Sequence, residues 1–296
     1  MTTVQRAQGA ALARAALAGN PSDGYGGAVL AVALPIWAAR AEAVPAGELG
    51  IEPANELVGA TVRRFARDLD PGAAVSFVRW STSIPQRVGL GSSSALVIAV
   101  VCALAELHRV QLEADALAEF ALAVETEEMG IVAGLQDRVA QAYEGLTFME
   151  FGGGGSYERL DPAVLPPLVI AWRKEAAADS GDVHGSLRAR HDGGEPEVHE
   201  AMESLASAAR EARHGLVAGD LELFRVSVDR TFDLRRELLP LDRRCVDMVE
   251  LARSCDASAN YTGSGGAIVA VCRDAAHAGA VADALGRVGC GVAQYP

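Results

Sequence analysis

The segment that most constrains this chain is Gly89-Leu90-Gly91-Ser92-Ser93-Ser94-Ala95, which passes directly into an apolar run from Ala95 to Leu107 broken only by Glu106. Phosphate oxygens are held by converging backbone N–H groups, which calls for glycines that remove side-chain bulk and for the N-terminus of a helix. The segment supplies both, and its three hydroxyls add donors for phosphate or ligands for a metal. The apolar run is shorter than the roughly 20 residues of a membrane span, so it reads as a buried helix that fixes the loop against a core. A flexible linker is the plain alternative, but linkers are not usually followed at once by an apolar helix. Phosphate binding is the stronger reading.

The loop belongs to neither common nucleotide-binding type. A Walker sequence needs Lys before Ser or Thr, and the sole lysine of the chain, Lys174, has no glycine loop before it. The dinucleotide fingerprint needs a third glycine at the position that Ser94 occupies.

The rest of the sequence describes a packed protein of two domains. Half of the 296 residues are hydrophobic and 22% are charged, which excludes a largely disordered chain. An excess of 39 Asp and Glu over 26 Lys and Arg gives a formal net charge of -13, which repels nucleic-acid backbones and anionic lipid. The expected partner is therefore a small molecule, with no nucleic acid and no membrane. ATP stays compatible, because local amides, helix termini and Mg²⁺ outweigh the net field. Five scattered cysteines without a C-x-x-C pair read as reduced thiols, and the opening lacks the pattern of a signal peptide, so the expected location is cytoplasmic. Helical periodicity covers Asn55–Asp68, Leu112–Met129, a stretch from Leu135, Pro196–Arg236, Asp242–Ser254 and Asp274–Val288. Strand-like runs lie at Ala28–Arg40, Ala74–Ile84 and Leu168–Trp172, and after Gly266. The predicted class is α+β. Gly152–Pro162 reads as a flexible domain connection or surface turn, which puts the domains at 1–160 and 161–296.

Three motifs, in order, carry a family resemblance. Pro85-Gln86-Arg87-Val88-Gly89-Leu90-Gly91-Ser92-Ser93-Ser94-Ala95 resembles the central ATP motif of the GHMP kinases, the galactokinase, homoserine, mevalonate and phosphomevalonate kinase superfamily. Ala13–Asp23, which ends Gly19-Asn20-Pro21-Ser22-Asp23, is similar to the family's N-terminal substrate motif, and Tyr261-Thr262-Gly263-Ser264-Gly265-Gly266 to its C-terminal glycine motif. The resemblance implies the two-domain GHMP fold: an N-terminal α/β domain with a left-handed βαβ unit and a C-terminal ferredoxin-like α+β domain. It also implies ATP and Mg²⁺ as cofactors, with Pro85, Gly89, Leu90, Gly91, Ser92, Ser93, Ser94 and Ala95 around the nucleotide.

Within the family, Gly134-Leu135-Gln136-Asp137-Arg138 resembles the catalytic-aspartate segment of sugar-1-kinases, and of glucuronokinases most closely. By that resemblance Asp137 accepts the proton of the sugar hydroxyl or orients that hydroxyl. Arg14 stands where the family carries a cation that pairs with the aspartate. Ser93, with Ser94 as the alternative, and Glu125, twelve residues before Asp137, are the implied metal ligands. Read without the family, Asp137 is a helix-capping acid, Arg14 a surface arginine, and Glu125, Glu127 and Glu128 one solvated face. Ser22, Asp23, Tyr25, Gln136, Arg138, Gly263, Ser264 and Gly265 are the expected substrate contacts. His184, Arg188 and Arg190 join them, because Ser180–His184 with those arginines resembles a glucuronokinase segment. The expected product is glucuronate 1-phosphate. A kinase for a neutral sugar or heptose phosphate and a non-catalytic ligand sensor are the alternatives.

Overall fold

In the computed structural model, which describes residues 5–174 and 187–296, the chain alternates between two units. The first holds Met1–Ala13, Pro35–Ile84 and Gly91–Glu144, and the second Arg14–Leu34, Pro85–Leu90 and Gly145–Pro296.

In the first unit, strand β1 (Ala7–Ala18) begins and strand β2 (Ala28–Pro45) ends. Residues Ala39–Pro45 of β2 pair antiparallel with β4 (Ser76–Thr82), and β4 pairs parallel with β3 (Gly50–Glu52). Helix α1 (Glu56–Asp68) starts where the Asn55 side chain accepts a hydrogen bond from Val58 N, a cap of the usual kind. The glycine-serine loop passes into α2 (Ser92–His108) at Gly91, whose φ of 70° is left-handed and favours glycine. Every residue of α2 from Ser94 to Val101 is buried, so the helix is apolar on all sides and has to be surrounded. Helices α1, α3 (Ala114–Ala123) and α4 (Gln136–Tyr143) pack on it. A Cβ on Gly9 of β1 would lie 2.0 Å from Ala99 O, so the strand backbone rests directly on α2.

The predicted helix to Met129 stays regular only to Ala123 and continues as one π turn, Val124–Glu128. The wider turn shifts the register. Glu125 is buried at 1% exposure, whereas the Glu127 side chain is 65% exposed.

In the second unit, Ala28–Val32 of β2 pair antiparallel with β5 (Leu146–Glu150), and β5 with β6 (Ser156–Leu160). Of the two readings of this stretch, a flexible connection or a surface turn, the structure has the turn: Gly153, Gly154 and Gly155 take positive φ in a hairpin, and a strand follows. The sequence hid β6 because most of its residues face solvent and give no apolar alternation. A second, fully antiparallel sheet has the order β10-β7-β9-β8, with β7 Leu168–Trp172, β8 Ser258–Tyr261, β9 Ala267–Val271 and β10 Gly291–Tyr295. After a short helix α5 described over 187–192, the helices α6 (Pro196–Ala218), α7 (Leu221–Leu238) and α8 (Arg243–Ser254) lie between β7 and β8 in sequence. Helix α9 (Ala275–Arg287) links β9 to β10. This is the ferredoxin-like arrangement with extra helices in its first crossover. Its core gathers Phe232, Met248, Val249, Tyr261, Ile268 and Leu285. Strand β10 was not legible as an element of its own. Among the described residues no helix is long and apolar enough to cross a membrane, and all five cysteines are free thiols.

Candidate active site

The first unit carries the helix N-terminus and a buried carboxylate. Gly91 caps α2 without a side chain to satisfy the first amides, which leaves the partial positive charge of that terminus for an anion. The three serines behave differently. Ser94 is buried and its hydroxyl donates back to Gly91 O at 3.2 Å. Ser92 and Ser93 are partly exposed, and Ser93 Oγ donates to Glu125 Oε1 at 2.7 Å. The other oxygen of Glu125 accepts from both Nε and NH2 of Arg138, itself 5% exposed. Arg138 NH1 also donates to Gly134 O at 2.8 Å, which fixes the turn before α4. Asp137 stands in the first turn of α4, its Oδ2 3.9 Å from Arg138 NH1. Gln136 beside it is partly buried.

The second unit brings the central and C-terminal glycine motifs into backbone contact. A Cβ on Gly89 would lie 2.8 Å from Gly265 O, one on Gly263 2.6 Å from Gly89 O, and one on Gly266 2.7 Å from Val88 Cα. The packing leaves no room for a side chain at these positions. Arg14, 3% exposed, donates from NH1 to Gly89 O and to Thr262 O, both at 2.7 Å. Thr262 Oγ1 donates to Gly89 O at 2.8 Å. Arg14 is thus a buried residue between the two motifs and not a surface arginine. Pro85 to Leu90 belong to this unit, and Gly91 to Ala95 to the first.

The segment Gly19–Tyr25 turns through a short 3₁₀ helix at Ser22–Tyr25. Ser22 is buried and its hydroxyl donates to Ala28 O at 2.9 Å, so it shapes the turn. Asp23 and Tyr25 are partly exposed. Burial raises the Tyr25 phenol above its ordinary value, against the opposing charge of Arg188. That guanidinium lies 4.4 Å from the Tyr25 ring centroid and donates to Gly24 O, whereas Arg190 is paired with Glu195 at 2.9 Å. His184 lies outside the described residues.

Three further groups, outside the motifs' own candidate residues, brace these segments. Gln141 Nε2 donates to Gly91 O at 2.8 Å and to Leu12 O at 2.9 Å, bracing the start of α2. Asn260 Nδ2 donates to Asn20 Oδ1 at 3.0 Å, and Asn20 Nδ2 to Tyr261 O at 3.3 Å. Arg235 is 3% exposed and donates to Gly263 O at 2.8 Å. A signal for Arg235 was present: the buried stripe of α7, Phe224, Val228, Thr231 and Phe232, reaches an arginine at its next core-facing position.

Comparison with known proteins gives the family of the chain. The family described as "GHMP kinases N terminal domain" matches residues 56–145, and "GHMP kinases C terminal" matches 200–289. Glucuronokinase 1 of Arabidopsis thaliana is 31% identical over 303 residues, covering 88% of this chain and 83% of that protein. Probable glucuronokinase 2 of the same plant is 38% identical over 205 residues, 65% of this chain and 56% of that protein. The crystal structure of Streptococcus pneumoniae phosphomevalonate kinase superposes with a TM-score of 0.80 at 17% identity, over 98% of this chain and 99% of that one. A two-unit α+β fold with these glycine motifs and this likeness defines an ATP-dependent small-molecule kinase. The chain belongs to the GHMP kinases.

Proposed function

We propose that this enzyme transfers the γ-phosphoryl group of ATP to the anomeric hydroxyl of D-glucuronate, giving glucuronate 1-phosphate and ADP. The observation that carries the reading is the 31% identity to glucuronokinase 1 across 88% of the chain. In the step, the sugar hydroxyl oxygen forms a bond to the γ-phosphorus and the bond to the β–γ bridging oxygen breaks. The hydroxyl proton passes to the Asp137 carboxylate. Phosphoryl transfer asks for positioning and charge stabilisation more than for covalent chemistry. The amides of Gly91 to Ala95, at the uncapped start of α2, suit the phosphates. Arg14 is the cation for the developing charge. Asp23 and Tyr25 are the groups on the Gly19–Tyr25 segment suited to sugar hydroxyls, with Gly263–Gly265 as the close backbone approach and Arg188 held beside Tyr25.

Ser93 and Glu125 fit Mg²⁺, which takes few hard oxygen ligands from a protein and the rest from phosphate and water. Their oxygens lie 2.7 Å apart, and Ser94 is committed to Gly91 O. The ion would supply charge neutralisation on the phosphates. Ser93→Ala and Glu125→Gln are each expected to raise the Mg²⁺ concentration for half-maximal rate about tenfold, the scale of losing a group that supports a metal. Unchanged Mg²⁺ titrations in both variants would remove this ligand pair.

An ADP-coupled screen of glucuronate, galacturonate, glucose, galactose and heptose phosphates with MgATP tests the acceptor. Glucuronate should give the highest kcat/KM. Equal use of glucose or galactose would overturn the acidic-sugar reading in favour of a neutral-sugar kinase.

A further inference from the structure

A guanidinium taken out of water needs a compensating negative charge or a full set of hydrogen bonds, since desolvating an ion costs several kcal/mol. Among the described residues Arg235 has no ion-pair partner and an incomplete set of hydrogen bonds. It is 3% exposed. NH2 donates to Gly263 O at 2.8 Å, NH1 reaches Asn20 O only at 3.5 Å, and Nε is buried without a hydrogen-bond partner. The Tyr261 ring centroid, 5.2 Å from its central carbon, adds a weak attraction. Burial above all, and the charge of Arg14 to a lesser degree, pull the guanidinium down to about 10. The C-terminal turn of α7 offers the partial negative charge of its carbonyls, but among the described residues no carboxylate completes an ion pair.

The position of this charge matters as much as its state. The two carbonyls that Arg235 touches belong to the N-terminal motif, at Asn20, and to the C-terminal glycine motif, at Gly263. The neighbouring carbonyl, Thr262 O, is taken by Arg14. Two guanidiniums therefore flank the Thr262–Gly263 peptide, while Asp23 lies close enough to act electrostatically on Arg235. An anion is the ligand that such a pair of cations favours, and the weak 3.5 Å contact at NH1 is the one it would replace.

We propose that Arg235 receives the anionic substituent of the acceptor sugar and sets the selection of acidic over neutral sugars. This rests on the reading of the enzyme as a kinase for an acidic sugar and names the residue that enforces it. The shared chemistry is an anionic group on the acceptor, either a carboxylate or a phosphate ester. Comparing glucuronate with a heptose 7-phosphate as acceptors of the parent enzyme distinguishes the two.

The test measures kcat and KM for glucuronate, glucose and ATP in the parent enzyme, Arg235→Gln and Arg235→Lys, with thermal melts and circular dichroism on each. Arg235→Gln is expected to raise KM for the acidic acceptor roughly 10- to 100-fold, the range of a hydrogen bond to a charged group. The loss in kcat/KM for the acidic acceptor should exceed by at least about tenfold any loss in kcat/KM for glucose or rise in KM for ATP, and Arg235→Lys should recover part of that difference, since it restores charge without the planar fork. A brace without a ligand role predicts otherwise: glucose, glucuronate and ATP parameters would worsen together in Arg235→Gln, and that result overturns the proposal. Should Arg235→Gln fail to fold, the same ratio is read from Arg235→Lys, where an unchanged preference for the acidic sugar overturns it. A parent enzyme without preference for any acidic acceptor sinks the underlying reading, whereas a parent with that preference and a variant that keeps it sinks only the role of Arg235.

Discussion

Asp137→Asn should lower kcat by roughly 10²- to 10⁴-fold, the usual worth of a positioned general base, while ATP affinity and the fold persist. The side chain keeps its size and loses only charge and basicity. It sits in the first turn of α4 with Arg138 NH1 3.9 Å away. Removing a carboxylate from a helix N-terminus costs about 0.3–1 kcal/mol, too little to unfold a protein of this size. A loss confined to kcat would mean that the interaction operates in the transition state. Single-turnover rates with MgATP and glucuronate, beside calorimetric ATP binding, separate the two effects. Turnover within a few-fold of the parent would remove Asp137 from the chemistry.

The parts of this enzyme that were legible in its sequence are those where chemistry restricts residue choice locally. The glycine-serine loop reads as a phosphate cradle because few alternatives place small residues and hydroxyls ahead of a wholly apolar helix, and α2 forms there. The order of elements in the C-terminal half followed from periodicity alone for α6 to α9. What could not be read was long-range pairing. Nothing local in Gly263-Ser264-Gly265-Gly266 says that these glycines serve close contact with the backbone of Val88 and Gly89. Local spacing likewise left Glu125, Glu127 and Glu128 indistinguishable until the π turn sorted them by burial.

Charged residues in buried positions were the hardest to place. By composition an arginine is a surface residue, so only the family resemblance singles out Arg14, and no motif singles out Arg235. Both are buried around the carbonyls of Thr262 and Gly263. Strand β6 was lost for the opposite reason: its residues face solvent and pair through the backbone.

The second large effect concerns stability. Arg138→Leu should destabilise the protein by about 3–5 kcal/mol, because it leaves a buried carboxylate without its main counter-charge. Glu125 is 1% exposed, and after the substitution the remaining partner of its carboxylate among the described residues is the Ser93 hydroxyl. The variant also loses the hydrogen bond that fixes Gly134 O ahead of α4. In a chain of this length each kcal/mol lowers Tm by roughly 2–4 °C, so a drop on the order of 10 °C is expected in a thermal melt. Glu125→Met combined with Arg138→Leu should recover most of that loss, since two apolar groups of similar volume replace a buried pair at little cost. The double variant then separates structure from function: it should melt near the parent temperature yet demand far more Mg²⁺, because an oxygen ligand has gone. If Arg138→Leu melted within about 2 °C of the parent, a shift worth less than the burial of one charge, the Glu125–Arg138 pair would not be what holds α4 and the π turn together.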